Sequence, residues 1–275
     1  MKIRSYLRRD IAVTREHGSW VFLFSPLFIG LFAGDSWGGV TPYLFLACLA
    51  GFMIRQPMTI AVKALSGRRS RKDIPPALFW MFIYAGLGGL GVWGLLKNDF
   101  PYLLLLVVPG IFVFAWYLGL VYRRVERGQM GVEIVASGVL ALAAPAGYWI
   151  GVGHPHPLGW WLWLLNWFQS AASIVYIFLR LKQRKLGEIP SVAERIWMGW
   201  RALSYSGFNL GVTVFLSMLG WLPSGIFIPY LLQFLETLWG VFQPAVGYKP
   251  TKIGLRQLIV SILFTLLFIF SWKWT

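Results

Sequence analysis

Charge, acid and cysteine are all scarce in this 275-residue chain. Charged residues make up 13% of it and hydrophobic ones 57%, a balance that excludes an ordinary soluble globular protein. No polar stretch is long enough for a separate soluble domain, so residues 1–275 read as a single transmembrane domain. The one cysteine, Cys48, lies inside an apolar run, which excludes an intrachain disulfide or a cysteine metal site and leaves a packed thiol. Acidic residues number 10 against 25 basic ones, a net charge of +15. That excess invites a nucleic-acid reading, but the Lys and Arg residues stand in short clusters between apolar runs, where membrane orientation places them. No nucleic-acid-binding motif contains them, and no nucleic-acid partner is expected.

The chain is rich instead in apolar runs of about 20 residues, the length of a spanning helix. Nine are expected, at 18–34, 41–63, 76–96, 101–122, 132–152, 158–181, 197–221, 224–243 and 254–273. Gly, Pro and Asn punctuate the breaks, including Pro75-Pro76, Asn98 to Pro101 and the Gly-His-Pro-His-Pro turn at 153–157. The basic N-terminal arm followed by an apolar run resembles a secretory signal, but the run continues through Phe32 without a small-residue cleavage site. A retained first helix is the expectation.

Basic residues give the orientation. The arm and the second, fourth, sixth and eighth loops hold 5, 5, 3, 6 and 3 of them, counting Arg201 just inside its helix. The opposite side holds Lys97 and Lys273, and Arg55 lies within a span. The positive-inside rule then puts the N-terminus in the cytoplasm and the C-terminus outside. A multi-pass protein of the bacterial cytoplasmic membrane follows.

With sides assigned, polar residues acquire depth. Glu16 and His17 open the first helix at the inner face. Arg55 lies about 21 Å from Thr41 along the second helix, in its cytoplasmic half, and Lys63 ends that helix. On the sixth helix Gln169, Ser173, Tyr176 and Arg180 recur at spacings of 4, 3 and 4, along one face. Gln233, Glu236 and Gln243 share a face of the eighth, and Asn209 is near the middle of the seventh. Together they describe a polar chamber open to the cytoplasm, with these residues as candidate ligand contacts. Arg55 and Glu236 carry the most information, because a charge in hydrocarbon needs a partner or a ligand. They are placed either to pair with each other or to face a ligand. Interhelical hydrogen bonding is the competing role for Gln169, Ser173 and Asn209. His154 and His156 read as a solvated turn rather than a metal site, and the many Trp residues as interfacial anchors.

Arg15-Glu16-His17-Gly18-Ser19-Trp20 followed by Pro26 resembles the N-terminal REHGxW…P signature of the YwiC-like family of bacterial membrane proteins. Arg55-Gln56-Pro57 and the stretch from Ser170 to Arg180 are similar to that family's second and sixth helices. More distantly, the layout resembles the UbiA superfamily of intramembrane prenyltransferases, which implies a UbiA-like all-α bundle of nine helices with a cytoplasm-facing chamber. Those enzymes hold a diphosphate through Mg²⁺ bound by aspartate-rich motifs after helices two and six. Here the corresponding regions offer only Asp73, Glu188 and Glu194 among many Arg and Lys residues, too few oxygen ligands for two Mg²⁺ ions. No metal or other cofactor is expected, and no Mg²⁺-dependent prenyl transfer of the aspartate-rich type. Two functions compete: binding of an anionic or isoprenoid lipid through arginine forks, and passage of a small solute or an accessory role in assembly. Membrane lipids are the expected partners.

Overall fold

The computed structural model describes residues 6–13, 18–126 and 128–274, and it is all-α, with no strand among these residues. Glu16 and His17 lie outside them. The helices are α1 (Arg9–Ala12), α2 (Ser19–Ala33), α3 (Thr41–Leu65), α4 (Ile74–Lys97), α5 (Leu104–Tyr122), α6 (Met130–Ala141), α7 (Ala143–Val152), α8 (Pro157–Gln183), α9 (Val192–Met218), α10 (Phe227–Phe242) and α11 (Pro250–Trp274). Every expected span coincides with a helical rod. The fifth is divided at Leu142 into α6 and α7, three residues before Pro145, which has no N–H to donate to the preceding turn.

Among the described residues six rods are long and apolar enough to cross a membrane: 41–65, 71–97, 101–122, 130–152, 157–183 and 250–273. Helices α2 and α10 are apolar but shorter. Helix α9, at 27 residues, has the length but carries Arg201, Ser204, Ser206 and Asn209 along it.

Helix α3 packs on α4, α9 on α10, and α8 occupies the centre, touching α2, α6, α7, α9, α10 and α11. That position decides which helix can carry polar groups. The apolar stretch of α8 is 67% buried and that of α5 only 11%, so α8 presents its polar face to protein while α5 shows almost all of its surface to the surroundings.

Helices α2 and α7 cross backbone to backbone. Gly30 and Gly34 on one helix face Gly147 and Gly151 on the other, both pairs in the small-xxx-small spacing that lets helices approach closely. A Cβ on Gly30 would fall on the carbonyl oxygen of Ala144, and one on Gly147 would lie 2.8 Å from the Leu31 amide nitrogen.

The basic loops are tied by ion pairs. Arg68 clasps Glu126 with both terminal nitrogens, and Lys63 Nζ lies 4.0 Å from the same carboxylate. The hydrogen bond from Arg68 pushes the Glu126 carboxyl down to about 2. Arg8 and Arg69 both pair with Asp10 and with Asp73, and Arg8 above all lowers the Asp10 carboxyl below its ordinary value. The N-terminal arm is thereby held against α3 and α4, with Ile11 and Ala12 buried and the Tyr84 hydroxyl donating to the Ala12 carbonyl at 2.8 Å. At the opposite ends of the rods, Ser36 donates to the Gly147 carbonyl, Trp149 to the His156 carbonyl, and Lys273 pairs with Asp35.

Candidate functional site

The polar row of α8 meets α10 and α11 and separates into three groups. The deepest is a set of amides around Ser173, which is 1% exposed. Gln169 Nε2, Gln233 Nε2 and Gln257 Nε2 stand 3.1, 3.1 and 3.2 Å from its hydroxyl oxygen. Gln233 also donates to the Gln169 carbonyl at 2.9 Å. A buried polar row survives in an apolar bundle only when paired, and here three helices supply one another's partners.

One turn further on, Glu236 is the centre of the second group. Arg256 Nε and Nη2 donate to its two carboxylate oxygens at 2.6 and 2.7 Å, and the Tyr176 hydroxyl donates at 2.8 Å. The Arg256 guanidinium lies 3.5 Å from the centre of the Trp239 ring. Glu236 is 8% exposed and Arg256 46%, so the pair reaches from the interior to the surface. This arrangement corrects the expected choice for Arg55 and Glu236, since the partner of Glu236 is Arg256. Helix α10 packs on α8, α9 and α11, while α3 packs on α4, α5 and α7. The Arg55 guanidinium instead lies 5.3 Å from the Phe52 ring centre on its own helix.

The third group is at the basic end. Arg180 Nη1 donates to the carbonyls of Gly240 and Gln243 at 2.7 and 2.6 Å and to Gln183 Oε1 at 3.0 Å. Those carbonyls belong to the last turn of α10, where no intrahelical donor exists and the dipole is negative. Gln183 reinforces the cap by donating to Gly240, and Arg195 donates to the Phe242 carbonyl. The geometry thus makes Arg180 the C-terminal cap of a short helix rather than a free ligand fork.

Other expected site residues are placed elsewhere. Asn209 donates to the Phe168 carbonyl at 2.8 Å, fastening α9 to α8, and Lys63 belongs with Glu126. Asp73 is engaged by two arginines, and Glu194 closes a capping box with Ser191 at the start of α9. His156 accepts from the Leu158 amide as the cap of α8. Among the described residues no three His, Cys, Asp or Glu side chains are grouped as a metal ion requires. Where α8, α10 and α11 meet, the expected chamber residues Gln169, Ser173 and Gln233 hydrogen-bond one another. The cavity beside Gln257 is about 50 Å³.

Sequence reasoning missed Gln183, Arg256, Gln257, Trp239 and Tyr248. The signal for Arg256 was its place two residues inside the expected span 254–273. Counted only as a charge of the eighth loop, it was never asked for a partner.

Stacked apolar rods joined by buried polar contacts and basic end loops define an integral, multi-pass helical membrane protein. The family model described as YwiC-like protein matches residues 13–148, and over that part the chain is similar to the family. The match runs from the expected signature to the α2–α7 crossing and leaves the α8–α10–α11 site beyond it. No curated protein and no solved structure matches the chain.

Proposed function

We propose that this YwiC-like protein crosses the bacterial cytoplasmic membrane nine times, N-terminus inside, and holds the anionic headgroup of a membrane lipid at the basic mouth of the α8–α10–α11 site. The observation that carries this reading is Arg256. Half exposed and spread on Trp239, it commits Nε and Nη2 to Glu236, and Nη1 has no hydrogen bond among the described residues. One turn away, the Lys252 ammonium lies 4.3 Å from the Tyr248 ring centre. A phosphate between them would receive a charge-assisted hydrogen bond from the guanidinium and the attraction of the ammonium. The nine-rod order is UbiA-like in outline. Because the interior glutamines are bonded to Ser173, an isoprenoid or acyl tail would lie along the outside of α10 and α11.

The topology is tested by reporters. One fused after Thr275 is expected to behave as periplasmic and one inserted in the 67–73 loop as cytoplasmic, and matching locations would sink the nine-span arrangement.

Headgroup binding is tested by native mass spectrometry of the full chain from nanodiscs. Phosphatidylglycerol is expected to be retained over phosphatidylcholine. Lys252→Gln, on the surface and outside the ion pair, should cut retention about fivefold, the effect of one basic residue near a headgroup, with thermal stability unchanged. Equal retention of the two lipids would overturn the reading and favour a solute pathway.

A further inference from the structure

Ser173 is oversubscribed. A hydroxyl oxygen accepts two hydrogen bonds and donates one, yet three glutamine amides converge on it at 3.1 to 3.2 Å. Gln233 is fixed with its nitrogen inward by the second bond to the Gln169 carbonyl, and the Gln169 oxygen is engaged by the Ser170 hydroxyl. Gln257 has no further hydrogen bond, and its Oε1 is buried without a partner among the described residues. The residue is 8% exposed, and the cavity of about 50 Å³ beside it is also lined by Gly18, Phe22, Ile177, Leu258 and Ser261.

We infer that this cavity is a binding site for a neutral hydroxyl group, carried by a long-chain alcohol or by water. The amide of Gln257 has two orientations of nearly equal shape. With Oε1 toward the cavity it needs a donor. Turned over, so that Oε1 accepts from Ser173 and relieves the excess of donors there, it offers an NH₂ that needs an acceptor. A hydroxyl group answers either orientation because it both donates and accepts. A cation meets only the first, and among the described residues no carboxylate lines the cavity to balance it. An anion meets only the second, and among the described residues none lining the cavity carries a charge. A water needs about 10–15 Å³ of such volume, so there is space for the hydroxyl end of one slender chain between apolar walls. This site is separate from the headgroup contact on Arg256, and neither depends on the other.

The test is thermal unfolding of the full chain in detergent with oleyl alcohol or with 1-octadecene, which lacks the hydroxyl. At a hundredfold excess over Kd, the alcohol is expected to raise the midpoint by at least about 5 °C and the alkene to leave it unchanged. Gln257→Met should abolish the shift. Should that variant fold poorly, Ser261→Ala, which leaves the amides around Ser173 intact, is expected to reduce it. No shift, but an ordered water on the Gln257 amide in an experimental structure, would support the hydroxyl site with water as its occupant. Equal shifts from alcohol and alkene, or stabilisation by sodium over choline that Gln257→Met removes, would overturn the inference. So would the absence of both a shift and a water.

Discussion

Arg256→Met is expected to lower the unfolding free energy in detergent by about 2–3 kcal/mol, and adding Glu236→Met is expected to restore most of it. Removing one partner of a buried pair typically costs about 3–5 kcal/mol, because the other charge is left without compensation. The lower figure applies because the Arg256 side chain is 46% exposed, so part of its charge is already solvated, and because Tyr176 remains to hydrogen-bond the carboxylate. In the double variant no charge is stranded, and two methionines fill the space of a glutamate and an arginine. Arg55→Met with Glu236→Met should show no such recovery, since the two do not pair. Thermal midpoints of the three single and two double variants decide the matter. If the Arg55 double variant recovers and the Arg256 one does not, the assignment of the pair is wrong. Lipid retention gives an independent reading of the Arg256 double variant, whose stability should return while phosphatidylglycerol binding does not.

The second large effect is expected at a residue with no side chain. Gly30→Ala should cost about 3 kcal/mol or more, at the upper end of overpacking penalties, because the added methyl falls on a backbone carbonyl of the facing helix rather than on a side chain able to turn away. Relief requires α2 and α7 to separate, and that would also pull on the Ser36 hydrogen bond to Gly147. Gly51→Ala on α3 is the control. Nothing lies within 4 Å of a Cβ there, so the better helix propensity of alanine should stabilise by about 0.5–1 kcal/mol. Equal midpoints for the two variants would mean that α2 and α7 do not meet as described.

Hydropathy and punctuation were enough to locate the helical rods among the described residues, because long apolar runs fold as helices and Pro or Gly marks their ends. Even the weakest division, between Trp221 and Ser224, separates α9 from α10. Spacing on α8 was equally informative: Gln169, Ser173, Tyr176 and Arg180 do share a buried face. What the sequence could not supply was which helix that face meets. Arg55 and Glu236 looked like partners because they were the two charges placed deepest, whereas pairing depends on helix neighbours, which hydropathy does not encode. Arg180 was misread for a related reason. Its role follows from the C-terminal end of α10 lying beside α8, a neighbour that spacing along one helix does not reveal.

The shortness of α2 and α10 bears on the bilayer itself. At 15 and 16 residues they are about 22 and 24 Å long, against a hydrocarbon thickness of about 30 Å. Each is also shorter than α8 and α11, which have 27 and 25 residues. At the basic end of α10 the last carbonyl oxygens lack intrahelical donors, and Arg180, Gln183 and Arg195 supply them from within the protein. Were α2 and α10 to cross the bilayer as proposed, thinner lipid would match them better than thicker lipid.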